Sequence, residues 1–494
     1  MQALPRYPAL YQVNTRVWLG ELGRALGRPA NLDDIPDAIL DGWAERGFDW
    51  IWMLSVWTVG AASRQVSRKR EDWLNDFRRT LPDLTQNDIG GSGFAIAAYD
   101  VAAALGGDAA LARLRARLAE RGLRLMLDFV PNHVALDHPW RDQHPDWLIR
   151  GSGTELAIAP ANWVRIETAQ GPAIFAHGRD PYFPGWPDTL QLNYADAGLQ
   201  AAMAEELARI ARRCDGVRCD MAMLVLPEVF QRTWQRDIAP FWPGAIATAR
   251  AMNPAFRLAA EVYWDLEWEL LEQGFDYAYD KRLYDRLRGG DTSGARAHLS
   301  AGLDYQARMV RFLENHDEAR AAAAFNPRER HEAAALVTFF APGLRFFQEG
   351  EFDGRRVHVS PHLVRRPDEP VDGPLAAFYV CLLTVLKDPL VRDGNWQALA
   401  PRAAWEGNGS WLDFIGHAWQ DDRGKKLVVV VNFAPHAGQC YLPLTIEGIS
   451  GRTVVLRDRL GGISYERDGS TLIAPGLYLD LPAWGVHAFA VEAG

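Results

Sequence analysis

Eight short apolar runs between Leu10 and Gln348, separated by longer stretches of helical periodicity, constrain this chain more than any other feature. They are Leu10–Asn14, Trp50–Leu54, Arg124–Phe129, Gly216–Asp220, Arg257–Glu261, Phe275–Tyr279, Met309–Glu314 and Leu344–Gln348. Helical patterns lie between them at Asp33–Arg46, Asp108–Arg121, Ala197–Arg213, Ala295–Leu303 and Arg328–Phe340. Parallel strands need crossovers of a dozen or more residues, and a chain that alternates strand and helix eight times closes into an α/β (β/α)8 TIM barrel. Side chains at the C-terminal ends of such strands converge on one face, so chemistry is expected there.

Two connections exceed what a crossover needs. Residues 55–100 follow the second strand, and residues 134–193 follow the third; the latter carries Trp140, Trp147, Trp163, Trp186 and several prolines. Long loops of this composition are compact excursions rather than linkers. The expected organisation is a barrel over 1–133 and 194–393, a small inserted domain over 134–193, and a C-terminal antiparallel β-sandwich domain over 394–494. In that last part strands are expected at Trp411–Trp419, Lys426–Phe433, Gln439–Leu444, Thr453–Arg457, Leu477–Leu481 and Gly485–Val491.

With 53 Lys+Arg against 63 Asp+Glu, the net charge of −10 and the absence of a basic run argue against nucleic acid or an anionic membrane as partner. Met1 to Leu19 lacks the pattern of a signal peptide, and no stretch is long and apolar enough to span a bilayer. Cys214, Cys219, Cys381 and Cys440 are scattered and read as buried, reduced thiols. The expected location is cytoplasmic.

Four acidic residues fall at or just beyond strand ends: Asp128 in LMLDFVPNH, Asp220 in GVRCDMA, Glu261 in LAAEVYWD and Asp317 in FLENHDEAR. A lone carboxylate at a strand end is ordinarily solvated or caps a helix, but four on one barrel face crowd together. Crowding splits their pKa values, leaving one protonated as an acid while another stays ionised, as glycoside cleavage requires.

The segments DFVPNH, GVRCD, AEVYW and ENHDE, in this order, resemble the four signature regions of the α-amylase superfamily of glycoside hydrolases and transglycosidases, and DTLQLNYAD (Asp188–Asp196) resembles a further region. The resemblance implies Asp220 as nucleophile, Glu261 as general acid and base, and Asp317 as the carboxylate that binds ring hydroxyls and stabilises the transition state. It also implies a substrate-binding set of Phe94, Asp128, Asn132, His133, Arg218, Trp264 and His316, with Asp128 and Asn132 supporting the architecture more than the chemistry. Arg218, two residues before Asp220 on one strand, shares its face. A retaining mechanism would place the Asp220 and Glu261 carboxyls about 5 to 5.5 Å apart.

Departures from the family pattern matter. Phe94 stands where a stacking tyrosine is usual, and Ala98 replaces an acid before Tyr99. Met221–Leu226 (MAMLVL) lacks the family's Lys-His pair, which puts long-starch cleavage and a calcium site in doubt. Asn132 alone is not a calcium site, since hard cations take six or more oxygens; no metal and no cofactor are expected. The loop Gln348–Pro367, with Glu349, Glu351, Asp353, Arg355, Arg356, Arg365 and Arg366, reads as solvated and salt-bridged at the barrel mouth. Phe94, Trp140, Trp186 and Trp264 are the candidate sugar platforms. Three readings stay open: a retaining α-glycosidase on α-glucosidic oligosaccharides, an α-glucan transglycosylase or phosphorylase-type transfer enzyme, and a catalytically silent sugar-binding barrel.

Overall fold

The computed structural model describes residues 3–446 and 448–493. Eight parallel strands close into the barrel: β1 (Ala9–Asn14), β2 (Trp50–Leu54), β3 (Arg124–Phe129), β4 (Gly216–Cys219), β5 (Arg257–Ala260), β6 (Tyr277–Tyr279), β7 (Met309–Arg311) and β8 (Leu344–Gln348). β1 pairs with both β2 and β8, which closes the ring and removes every sheet edge. All eight apolar runs are strands, because a strand covered on both faces must be apolar throughout. Trp50, Ile51, Trp52 and Met53 have no exposed surface.

Several ends are shorter than the sequence suggests. β6 starts at Tyr277 rather than Phe275, and β7 stops at Arg311, so Phe312–Glu314 leave the ladder while remaining buried. The expected helix Asp33–Arg46 is a 3-10 turn at Leu32–Asp34 followed by a helix at Asp37–Glu45, because Pro36 lacks the N–H that would continue it. The expected Ala295–Leu303 helix spans Thr292–Leu299, where Asp291 caps Gly294 N.

Both long connections are structured. Residues 57–101 hold an antiparallel ribbon, Trp57–Val59 against Ile96–Val101, and the helices Ala61–Lys69 and Glu71–Thr80. Those helices cross the barrel mouth, where Leu74, Phe77, Leu81 and Ile89 pack with Leu363 from the loop after β8. The connection after β3 folds into the hairpin Trp163–Thr168 with Gly171–Ala176, and into a ribbon pairing His133 with Gln191.

Beyond Gly394 a six-stranded antiparallel sheet faces a two-stranded ribbon, Gly438–Leu442 with Leu477–Leu481, across an apolar layer that includes Phe414, Val428, Leu442 and Leu479. Sequence reading missed Asn395–Leu399 and Ser464–Asp468, which are the two edge strands of the sheet. Edge strands carry polar residues that block further pairing, so alternation is weak there. Ser410–Asp413 is a 3-10 turn, and the strand expected from Trp411 begins at Phe414.

Trp419 ties this sheet to the barrel. It is fully buried, donates its indole N–H to Phe340 O (3.0 Å) and meets the Tyr7 ring edge-on at 5.2 Å. Trp419→Ala is expected to cost about 3–5 kcal/mol, the scale of a deleted buried tryptophan. Urea unfolding followed by circular dichroism reads this as a lowered midpoint; an unchanged midpoint would show that the sheet does not support the barrel.

Candidate active site

Each chemical side chain arrives at the mouth by a local rule. Arg218 on β4 and Asp220 just past its end are two apart and point inward, while Cys219 between them is buried on the helix side. Backbone bonds Asp220 N–Phe129 O (2.8 Å) and Glu261 N–Cys219 O (3.0 Å) carry the ladder one residue past β4 and β5. Met221 then turns with φ of 42°, in the left-handed region, and this aims its N–H at Glu261 Oε2 (2.7 Å). Such a turn at a non-glycine residue costs of order 1–3 kcal/mol and persists where function demands it. Asp317 is presented by Asn315, whose Oδ1 accepts from the N–H groups of Asp317 (2.9 Å) and Glu318 (3.0 Å).

One guanidinium gathers three carboxylates. Arg218, with 1% of its side chain exposed, places Nη1 2.6 Å from Asp220 Oδ1, and Nη2 2.7 Å from Glu261 Oε2 and 3.7 Å from Asp317 Oδ2. The cation lies over the faces of Trp52, Phe94 and Tyr279 at 5.4–5.7 Å. A single positive charge cannot balance three negative ones, so protonating one carboxyl relieves the cluster. Glu261 is that group: burial, with the repulsion of Asp220 and Asp317, pushes it up to about 7 against the pull of Arg218. Asp317 goes the other way. Enclosure in the mouth would raise it, but His316, with Nε2 3.0 Å away, and Arg218 outweigh that and hold it down to about 2.

A cavity of about 260 Å³ lies above this cluster, lined by Asp220, Glu261, Asp317, Phe94, His133 and Trp186 among others. Of the residues expected to bind substrate, Phe94 and His133 reach it. Gly93 makes the Phe94 position possible, since a Cβ there would fall 1.9 Å from Ser55 Oγ.

Other expected contacts are corrected. Arg218 lies beneath the carboxylates and orients them. His316 is 1% exposed, bonded through Nδ1 to Gln12 (3.0 Å) and stacked under Phe94, so it positions Asp317. Asp128 has no exposed surface; its carboxylate accepts from Trp52 Nε1 (3.0 Å) and Ser55 N (2.7 Å), and burial pushes it up to about 6. Asn132 is equally buried, with Oδ1 accepting from Gln191 Nε2 (3.0 Å). These two hold the frame. Trp264 sits outside the cavity, packed edge-on with Tyr182 at 5.0 Å, and Trp140 packs against Trp147 within the inserted segment.

The loop after β8 is less solvated than its charges suggest. Glu351 is 1% exposed and accepts from Tyr379 OH (2.7 Å), while Arg366 is 7% exposed and pairs with Glu21 and with Glu349 (2.5 Å). From this loop His362 reaches the cavity, where Trp73 packs on it at 4.5 Å. Sequence reading missed His362, Trp73, Tyr263 and Asp188 as lining residues. Tyr263 donates its hydroxyl to Glu261 Oε1 (2.8 Å), and its place two residues after Glu261 was the available signal. Asp188 is 3% exposed, and its Oδ2 has no partner.

No cluster of three or more His, Cys, Asp or Glu suited to a metal occurs among the described residues.

Fold and site together define a carboxylate-centred (β/α)8 barrel. The α-amylase catalytic-domain family model matches residues 62–254. The chain is 25% identical over 285 residues to α-amylase MalA of Haloarcula japonica, covering 56% of this chain and 38% of the relative. It is 22% identical over 275 residues to α-amylase 3 of Dictyoglomus thermophilum, covering 50% of each. The chain thus spans half or less of the length of these curated relatives. An α-amylase structure from Lactobacillus plantarum superposes with a TM-score of 0.68 at 20% identity, over 98% of this chain and 99% of that one. Residues 62–254 are thus similar to the α-amylase catalytic domain, and the superposition over the whole chain shows a shared fold.

Proposed function

We propose that this chain is a retaining α-glycosidase that cleaves α-glucosidic bonds in short oligosaccharides. The observation that carries the reading is the convergence of Asp220, Glu261 and Asp317 on one cavity around Arg218. Asp220 attacks the anomeric carbon, forming a C–O bond to its carboxylate as the glycosidic C–O bond breaks; Glu261 gives its proton to the leaving oxygen. Water then gives a proton back to Glu261 and its oxygen to the anomeric carbon, releasing Asp220. Two inversions retain the configuration. Asp317 takes hydroxyls of the ring and, held ionised, stabilises the oxocarbenium-like charge.

Cavity size supports short substrates. Its 260 Å³ falls below the roughly 300–1,000 Å³ of sites that take a drug-sized ligand, which suits about one sugar ring. Trp73 and His362 are among the side chains that line the cavity. Four free thiols, with Cys381 exposed rather than buried, support a cytoplasmic setting. Among the described residues no helix is long and apolar enough to cross a membrane.

The test is incubation with α-linked disaccharides, maltooligosaccharides and sugar phosphates, with the anomer of the first product read by NMR. Release of the α-anomer from short substrates is expected. The β-anomer would overturn retention, and longer or phosphorylated products would replace hydrolysis by transfer.

Asp188 is where substrate contacts are still missing. Asp188 lines the cavity; burial pushes its carboxyl up to about 7, and its buried Oδ2 has no donor. A sugar hydroxyl supplies that donor. Losing a hydrogen bond to a charged group costs about 1.5–3 kcal/mol, so Asp188→Asn should raise KM about tenfold or more at pH 8 with kcat little changed. An unaltered KM would remove Asp188 from the substrate contacts.

A further inference from the structure

A second cavity, of about 630 Å³, opens beside the barrel mouth between the helix Thr15–Leu26 and the helix Ala61–Lys69. Arg16, Arg64 and Arg68 line it, and among the described residues none of its lining is acidic. Among the described residues the three guanidinium groups hydrogen-bond to backbone carbonyls and to no carboxylate. Arg16 donates to Gly91 O (2.9 Å) and Pro361 O, Arg64 to Gly90 O (3.1 Å), and Arg68 to Ile89 O (3.2 Å). Arg16 Nε is buried with no partner. Burial and the charge of Arg64 together pull Arg16 down to about 10 against the weaker opposing pull of Asp128, which lies outside the groove lining. Arginines elsewhere on this wall are balanced: Arg24 lies 3.9 Å from Glu21, and Arg28 2.5 Å from Asp34.

Half-buried cations without an anion are costly unless a ligand supplies one. A carboxylate would neutralise one guanidinium; a phosphate monoester, with a charge near −2 at neutral pH, neutralises two and offers three acceptor oxygens. The remaining wall is apolar, with Leu19, Trp57, Val59, Leu105 and Val364. We propose that this groove binds a small organic phosphate, its head on Arg16, Arg64 and Arg68 and its body on the apolar wall.

Such a ligand would be felt at the catalytic mouth. The carbonyls now engaged by these arginines belong to Ile89–Gly91, whose Gly90 and Gly91 N–H groups hold His362 O (2.9 and 3.1 Å). His362 lines the catalytic cavity, and Phe94 lies three residues beyond Gly91.

Calorimetric titration of the full chain with phenyl phosphate, a probe that is no sugar, tests this. Saturable binding of one molecule per chain is expected, weakened by salt and still saturable, without competition, in the presence of saturating maltose and in Asp220→Asn. Benzoate should bind more weakly and benzyl alcohol not at all. Arg64→Gln with Arg68→Gln should weaken phenyl phosphate about tenfold or more, the scale of one charged hydrogen bond. Arg68→Gln alone, on a half-exposed helix position, serves if the double variant does not fold. Absence of saturation, displacement by maltose, benzoate binding as tight as phenyl phosphate, or equal affinity in the variants would each overturn the proposal.

Discussion

Asp220→Asn is expected to lower kcat by about 10⁵–10⁶-fold, the scale on which deleting a nucleophile acts. The exchange keeps the side-chain volume, and the backbone bond from Asp220 N to Phe129 O (2.8 Å) does not involve the side chain, so the fold should survive. Substrate affinity should change little, because Phe94, His133 and Trp186 line the cavity independently of this carboxylate. The amide cannot form the glycosyl ester, and it also leaves Arg218 Nη1 without the anion 2.6 Å away. Stopped assays with maltose, alongside calorimetric binding of maltose to the variant, separate these effects. Loss of less than about a hundredfold would argue against covalent catalysis at this position, and loss of binding together with turnover would mean that the pocket itself had collapsed.

Glu261→Gln removes the proposed proton donor and should lower kcat by about 10²–10⁴-fold on maltose. The wild-type pH profile carries a second signature. With Glu261 near 7, the proton needed by the leaving oxygen is present below that pH and lost above it, so activity should fall on the alkaline side with an apparent pKa around 7. In Glu261→Gln this limb should vanish. An aryl α-glucoside, whose phenolate leaves without help, should form the glycosyl enzyme at a near-normal rate in the variant. Because Glu261 would also serve as base for water in the proposed mechanism, breakdown of that intermediate should become limiting, and an initial burst of phenol reads it. Without a burst, and with the alkaline limb intact, another group would be the acid. Tyr263, which donates to Glu261 Oε1, then becomes the next residue to replace.

The barrel was legible because buried parallel strands leave an unbroken apolar signature. Trp50–Leu54 and Leu344–Gln348 coincide with the runs that announce them. Asp220, Glu261 and Asp317 were legible for a related reason: a polar group placed just after such a run has one address, the C-terminal mouth. Edge strands such as Ser464–Asp468 were not, because largely exposed, charged segments have no periodicity that separates them from loops. Roles within the site also shifted. His316 and Arg218 stand in the signature segments, yet both are nearly fully buried and act on neighbouring carboxylates.

Local sequence, then, determined the eight strands, their order and the acidic residues at their ends, since strand burial and two-residue alternation are properties of contiguous chain. Tertiary structure alone decided the shape of the cavity and the protonation of its carboxyls. Trp73 meets His362 across nearly three hundred residues, and Asp188 is brought beside the site through the ribbon that pairs His133 with Gln191. The pKa of Glu261 depends on burial and on three charges from β4 and the loop after β7. Electrostatic repulsion and desolvation act through space, over distances that separation along the chain does not encode.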